Sequence, residues 1–229
     1  SDVFTGLFAA NAIQSALRHA ERSGQGQYLD VNLLESQLAA LVNVASNVLV
    51  SGLDAPRWGN GHPNIVPYQV FYAADKPLVV AVGNDRQFAA LCDLLECPHL
   101  TTDPRFGTNP ARVAHRAELI PLLNDRFKLK DAETWVEGLL AEGIPTGPIN
   151  TVRQALHDPH VTARGLVETV RMPDESTLQL VGPPVRLSAT PARIESPPPQ
   201  VGEHTEHILR EVLGMTQTDI SRLREQGVV

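Results

Sequence analysis

Aromatic residues make up only 5% of this 229-residue chain, and cysteine and methionine occur twice each. So little cysteine excludes a disulfide-stapled secreted scaffold. Cys92 and Cys97, in a C-x4-C spacing with no second pair, do not form a zinc site either. They flank an expected helix end and read as reduced, structural thiols of a cytoplasmic setting. The methionines, Met172 and Met215, are both internal, and the chain opens Ser1-Asp2-Val3-Phe4-Thr5-Gly6. That is not a natural translation start, so the sequence is expected to be the C-terminal part of a longer protein, with any targeting peptide outside it. No apolar run reaches the about 20 residues of a membrane-spanning helix; residues 38–50 are broken by Asn43, Ser46 and Asn47. Basic runs are missing too, and a net charge of −7 speaks against a nucleic-acid surface. Neither a membrane nor a nucleic acid is an expected partner.

What is present is an ordinary globular composition, 42% hydrophobic and 20% charged, enough for one large domain or two small ones. Helical periodicity runs over 4–22 and stops at Ser23-Gly24. Alternation predicts a strand over 27–33. A long apolar helix is expected over 34–50, closed by Gly52, with so little polar face that it should be buried within a domain or against another chain. Two β runs, 68–73 and 78–82, read as a hairpin. Helices are expected over 85–95 (Asp85 as cap), 111–127 and 132–142. The 144–149 segment cannot be helical and reads as a bent, packed crossing. Thr151 caps a short helix to His157, and 167–171 with 177–181 complete the β content. A proline-rich stretch, 182–200, is a semi-rigid connector to helices over 205–213 and 218–226.

One loop carries the densest turn chemistry: Arg57-Trp58-Gly59-Asn60-Gly61-His62-Pro63-Asn64-Ile65-Val66-Pro67-Tyr68. Glycines here allow positive φ and close approach of backbone N–H groups to a ligand. A lone Gly-x-Gly is more often a surface turn, so the flanks matter more than the glycines. Asp2, just before an apolar helical pattern, reads first as a helix N-cap; a carboxylate at the positive end of a helix can also serve as a nucleophile. Glu203, His204 and His207 lack the spacing and fourth ligand of a metal site, and no metal is expected.

The order Asp2-x-x-Thr5-Gly6, then Gly24-x-Gly26-x-x-Leu29-Asp30, then Arg57-Trp58-Gly59-x-x-His62 and Ile65-Val66-Pro67-Tyr68-Gln69-x-Phe71 resembles class III CoA-transferases, the CaiB/BaiF superfamily of formyl-CoA and carnitine CoA-transferases. Gly143-Ile144-Pro145-x-Gly147-Pro148-Ile149, His157-Asp158-Pro159, Gly202-Glu203-His204-Thr205 and Gly227-Val228-Val229 match further landmarks. Together with Asn32-Leu33-Leu34-x-Ser36-Gln37 the pattern looks closest to the branch that moves CoA between succinyl-CoA and short dicarboxylates such as glutarate. The resemblance implies that Asp2 is the catalytic nucleophile. It implies that Gly59, Asn60, Gly61 and His62 form a lid loop over acyl-CoA and a small carboxylate, with Arg57, and less readily Arg86, available to a distal carboxylate. Coenzyme A is then a substrate, and no tightly bound cofactor is expected. The complete protein would be an interlocked homodimer.

The implied fold is α/β, the C-terminal part of a two-domain transferase whose small α+β middle domain is inserted between pieces of a Rossmann-like large domain. Residues 1–52 and 182–229 would belong to the large domain and 53–181 to the small one. Two other readings stand beside this. α-Methylacyl-CoA racemases share the superfamily, but their aspartate is followed by Phe and a glycine run, D-F-x-G-G, unlike Asp2-Val3-Phe4-Thr5-Gly6. The fragment by itself could also be non-catalytic, because most CoA contacts in the family come from the half that precedes the aspartate.

Overall fold

Leu78, Val80 and Val82 recur with a period of two, and in the computed structural model, which describes residues Ser1–Val229, they join Phe71 on the buried face of a small antiparallel sheet. Strand β1 (Tyr68–Tyr72) pairs with β2 (Pro77–Ala81) as the expected hairpin, Val70 opposite Val79. On the other side of β2 lies β3 (Thr146–Pro148), Val79 opposite Gly147. The 144–149 segment therefore contains a three-residue strand, Thr146–Pro148. Its turn and proline residues suppress the alternation that would have revealed it.

Helices α4 (Asp85–Leu94), α5 (Asn109–Ala114), α6 (Arg116–Phe127) and α7 (Ala132–Ala141) accompany this sheet. Phe88, Leu91, Leu119, Leu123, Phe127, Trp135 and Leu139 join the sheet residues in one core. Trp135 donates its indole N–H to the Phe127 carbonyl at 2.7 Å, so the largest core side chain leaves no polar atom unpaired. Asn84, not Asp85, caps α4, accepting from the Gln87 N–H; Asp85 faces Arg112. The expected 111–127 helix is two helices, interrupted at His115, whose Nδ1 lies 2.9 Å from the Ala111 carbonyl. Helix α4 closes with Glu96 at φ 55°, the Cys97 N–H bonding the Cys92 carbonyl and the Glu96 N–H bonding that of Asp93. This turn brings the two buried free thiols together, and hydrogen bonding between them, with burial, pushes the Cys92 thiol's pKa up.

Before the sheet come α1 (Asp2–Ser23), α2 (Leu33–Ala39) and α3 (Asn43–Ser51). Gly24, at φ 73°, ends α1 as expected. Residues 25–32 contain no strand; they run without a pairing partner to Asn32, which caps α2 by accepting the Glu35 N–H. The expected 34–50 helix is broken at Ala40–Val42 and bends by 83°. No single helix is long and apolar enough to cross a membrane. Nor is this helix pair covered: Leu34 is 70% exposed and Val50 89%.

The chain divides into two compact units, 1–149 and 150–229. The second holds α8 (Val152–Leu156), with a reciprocal Thr151–Gln154 capping box, α9 (Pro159–Ala163), capped by Asp158, and the hairpin of β4 (Val167–Arg171) with β5 (Thr177–Val181). Gly182 follows where a Cβ would collide with the Glu168 carboxylate. After the proline-rich connector, α10 (Thr205–His207) runs into a π turn, Ile208–Val212, and α11 (Gln217–Glu225) ends the regular structure. Glu203 accepts the Gln200 N–H before α10, and Glu206 joins α10 to α11 through Arg224.

Candidate active site

Glycine and asparagine shape the Arg57–Pro67 loop through their backbone freedom and amides. Gly59 sits at φ 61°, and the Gly61 N–H closes a turn onto the Trp58 carbonyl at 3.0 Å. A Cβ on Gly61 would meet that same carbonyl at 3.3 Å, so the turn has little room for a side chain there. The Asn60 side chain accepts the Val70 N–H, and the His62 N–H bonds the Tyr68 carbonyl, folding the turn back along the start of β1. Arg57, Gly59 and Asn60 are exposed at its tip, while Gly61 and His62 are half-buried.

The His62 imidazole lies parallel to the Tyr68 ring, 7° apart in plane with centroids 5.3 Å apart. Its Nδ1 accepts the Asn64 N–H at 3.1 Å. The neutral ring therefore carries its proton on Nε2, an assignment that follows from the hydrogen bond. Nε2 lies 3.5 Å from the Asn43 amide nitrogen, a donor facing a donor. With Nδ1 accepting, Nε2–H is the ring's one donor, and the Asn43 side chain stands beside it.

Two helical faces grip the loop. From α3, Asn47 exchanges a reciprocal pair of amide bonds with Asn64, at 2.9 and 3.0 Å. From α5 and α6, Asn109, Arg112 and Arg116 present a stripe with three- and four-residue spacing. Asn109 accepts the Val66 N–H and donates to the Asn64 carbonyl. Arg112, fully buried, donates to the carbonyls of Val66 and Phe106 and to the Asp85 carboxylate, with its guanidinium 4.2 Å from the Phe88 ring. Arg116 donates to the carbonyls of His62 (3.2 Å) and Pro63 (2.6 Å) and stacks 4.4 Å from the Trp58 ring. Desolvation pushes the Arg116 pKa down. The sequence reading gave no site role to the four helix residues that grip the loop, Asn47, Asn109, Arg112 and Arg116.

Asp2 lies elsewhere in the bonding pattern. Ser1 holds the N-cap position and Asp2 is the first helical residue, which corrects the cap reading. Its exposed carboxylate takes part in no hydrogen bond or ion pair, so nothing in this chain has consumed it, and none joins it to the loop. The positive end of the α1 dipole favours negative charge at this position. Arg57 and Arg86 form no ion pair, leaving both free for an anion. A groove of about 250 Å³ beside the loop is lined by Val44, Val48, Leu53, Pro56 and Trp58, with Asp54 at its edge. A larger one of about 470 Å³ lies in the second unit between α8, α9 and the β4–β5 hairpin; it contains none of the residues singled out as catalytic or substrate-binding.

The sequence profile of CoA-transferase family III matches residues 1–205, which include Asp2, the whole loop and its supporting helices. The chain belongs to CoA-transferase family III. Across all 229 residues it is 39% identical to the succinyl-CoA:glutarate CoA-transferase of Homo sapiens, covering 52% of that protein. It is 40% identical to the succinate–glutarate CoA-transferase of Agrobacterium fabrum over 95% of this chain and 54% of that one. A crystal structure of a CAIB/BAIF family protein from Brucella suis superposes with a TM-score of 0.71 at 40% identity, over 91% of this chain and 54% of that one. The chain thus spans about half the length of the family III relatives it matches. The mixed α/β architecture agrees with family III structures.

Proposed function

We propose that the complete protein transfers CoA from an acyl-CoA, with succinyl-CoA as the favoured donor, to a small carboxylic or dicarboxylic acid. The observation that carries this reading is the 39% identity, over the entire chain, to a protein named for succinyl-CoA:glutarate transfer. The free Asp2 carboxylate supports a double displacement. Asp2 attacks the thioester carbonyl, expelling CoA thiolate and forming a mixed anhydride. The thiolate attacks the aspartyl carbonyl, releasing the donor's carboxylate and leaving an aspartyl-CoA thioester. The acceptor carboxylate attacks that thioester, expels the thiolate again and forms a second anhydride. Attack of the thiolate on the acceptor-derived carbonyl gives the new acyl-CoA and regenerates Asp2. Both kinds of intermediate hydrolyse readily, so the Gly59–His62 turn serves as a lid that excludes water. His62 Nε2–H and Arg57 are the donors it offers to a substrate carboxylate.

In this reading residues 1–52 and 182–229 are pieces of the large domain and 53–181 the small domain. The complete protein works as an interlocked homodimer in the cytoplasm. The test is mass spectrometry of the complete enzyme after incubation with succinyl-CoA and hydroxylamine. A hydroxamate on the peptide containing Asp2 is the expected result. An unmodified peptide, with solvent deuterium entering the α-carbon of a branched acyl-CoA, would make the protein a racemase.

A further inference from the structure

The loop's supports are unevenly arranged. Asn109 and Arg112 hold its last residues, 64–66, against the core, whereas the glycine turn itself has one cationic brace. Arg116 touches the turn on both sides: its guanidinium stacks on Trp58, just before Gly59, and donates to the carbonyls of His62 and Pro63, just after Gly61. Only two of its five N–H groups are spent in this way, and no carboxylate lies within ion-pair distance. A planar fork with fixed donor directions suits this double grip; a lysine ammonium on a flexible stem does not reproduce it.

We propose that Arg116 is a positioning residue for the transferase reaction. By bracing Trp58 against His62 and Pro63, it fixes the Gly59–Gly61 turn and aims His62 Nε2–H toward the acceptor carboxylate. Its uncompensated charge also raises the positive potential where an anionic acceptor arrives. The inference rests on the loop being the acceptor site, as proposed above. It moves the decisive cation from the exposed Arg57 to a residue more than fifty positions further along the chain.

The test uses the complete enzyme with R116Q, R116K and, as the readout of the loop reading itself, H62A. Hydrogen exchange is followed at the Gly61 and His62 amides, with Ala81 and Ile149, which bond between β2 and the β3 segment, as sheet references. In R116Q the two loop amides should exchange at least tenfold faster while the sheet amides stay unchanged. Its kcat/KM for the dicarboxylate acceptor should fall at least tenfold, with little change in KM for the acyl-CoA donor. R116K, which keeps the charge and loses the fork, should fall between R116Q and the parent. If R116Q fails to fold, all amides accelerate together, and W58L, which removes only the stacked half of the brace, replaces it with the same expectation for the loop amides. Loop exchange at the parent rate overturns the proposal. So does unchanged acceptor kinetics in R116Q while H62A is impaired, and that pattern leaves the acceptor-site reading intact. If both variants keep full activity, the acceptor-site reading falls as well.

Discussion

Helices α1 and α4 are both amphipathic, yet α4 buries Phe88, Leu91 and Cys92, whereas α1 buries nothing over 22 residues. On α1 the apolar row Phe4, Leu7, Phe8, Ile13 and Leu17 stays open, with Leu7 58% exposed. Residues 66–149 thus carry their own core, while 1–52 hold apolar faces that find no cover within these 229 residues. An apolar stripe in a sequence says that a helix will cover something; it does not say that the cover lies in the same chain.

The largest test of that contrast compares two phenylalanines. F71A removes a side chain with no exposure that packs on Phe127 at 4.7 Å, and should cost roughly 3–5 kcal/mol in urea unfolding. F8A, on the open face of α1, should cost less than about 0.5 kcal/mol in the same chain. Equal losses would mean that α1 contributes to a shared core after all.

Arg112 sharpens the comparison from within the core. R112M leaves the Val66 and Phe106 carbonyls without their donor and should destabilise by roughly 2–4 kcal/mol. D85A keeps those two carbonyl bonds but leaves the buried guanidinium without its carboxylate, and should cost roughly 1–3 kcal/mol. The joint between the two regions is testable by a double-mutant cycle on Asn47 and Asn64. Their reciprocal amide pair should show a coupling of about 1 kcal/mol; a coupling near zero would mean that α3 rests beside the loop without being tied to it.

The smallest effect concerns pH. Hydrogen bonds from the Arg105 side chain and backbone hold the Asp103 carboxyl at about 2, below its ordinary 3.8. The folded state therefore gains from this group above pH 3.8 and loses that gain as the pH falls through about 2. A carboxyl carbon resonance titrating near 2 in the parent, and moving toward 3.8 in R105Q, is the expected outcome.

Much of the fold was legible because local chemistry agreed with the final arrangement. The β1–β2 hairpin, the Gly24 stop, the Thr151 cap and the two strands at 167–171 and 177–181 were all read from alternation, glycine and capping residues. The failures share one cause, tertiary contacts that periodicity cannot show. The apparent 34–50 helix breaks at Val42, and Asn47 beyond the break reaches Asn64. The apparent strand at 27–33 has no partner to pair with. In the site, the glycines and His62 announced the loop through composition. Arg112 and Arg116 were invisible because an arginine on a helix normally reads as solvated surface, and only the fold shows one buried and the other stacked on Trp58.

Strand β3 carries a consequence for the order of events during synthesis. Pro77 and Ala81 in β2 bond their second neighbour only when residues 145–149 arrive, the Pro77 carbonyl accepting the Ile149 N–H and the Ala81 N–H donating to the Pro145 carbonyl, and the Thr146 hydroxyl then closes onto the Val79 carbonyl. Until the ribosome has released that segment, the nascent hairpin presents an open edge lined by some of the most apolar residues of the chain. The short Thr146-Gly147-Pro148 strand acts as a late clasp, and a chain arrested at Ile144 should be the form that chaperones hold longest.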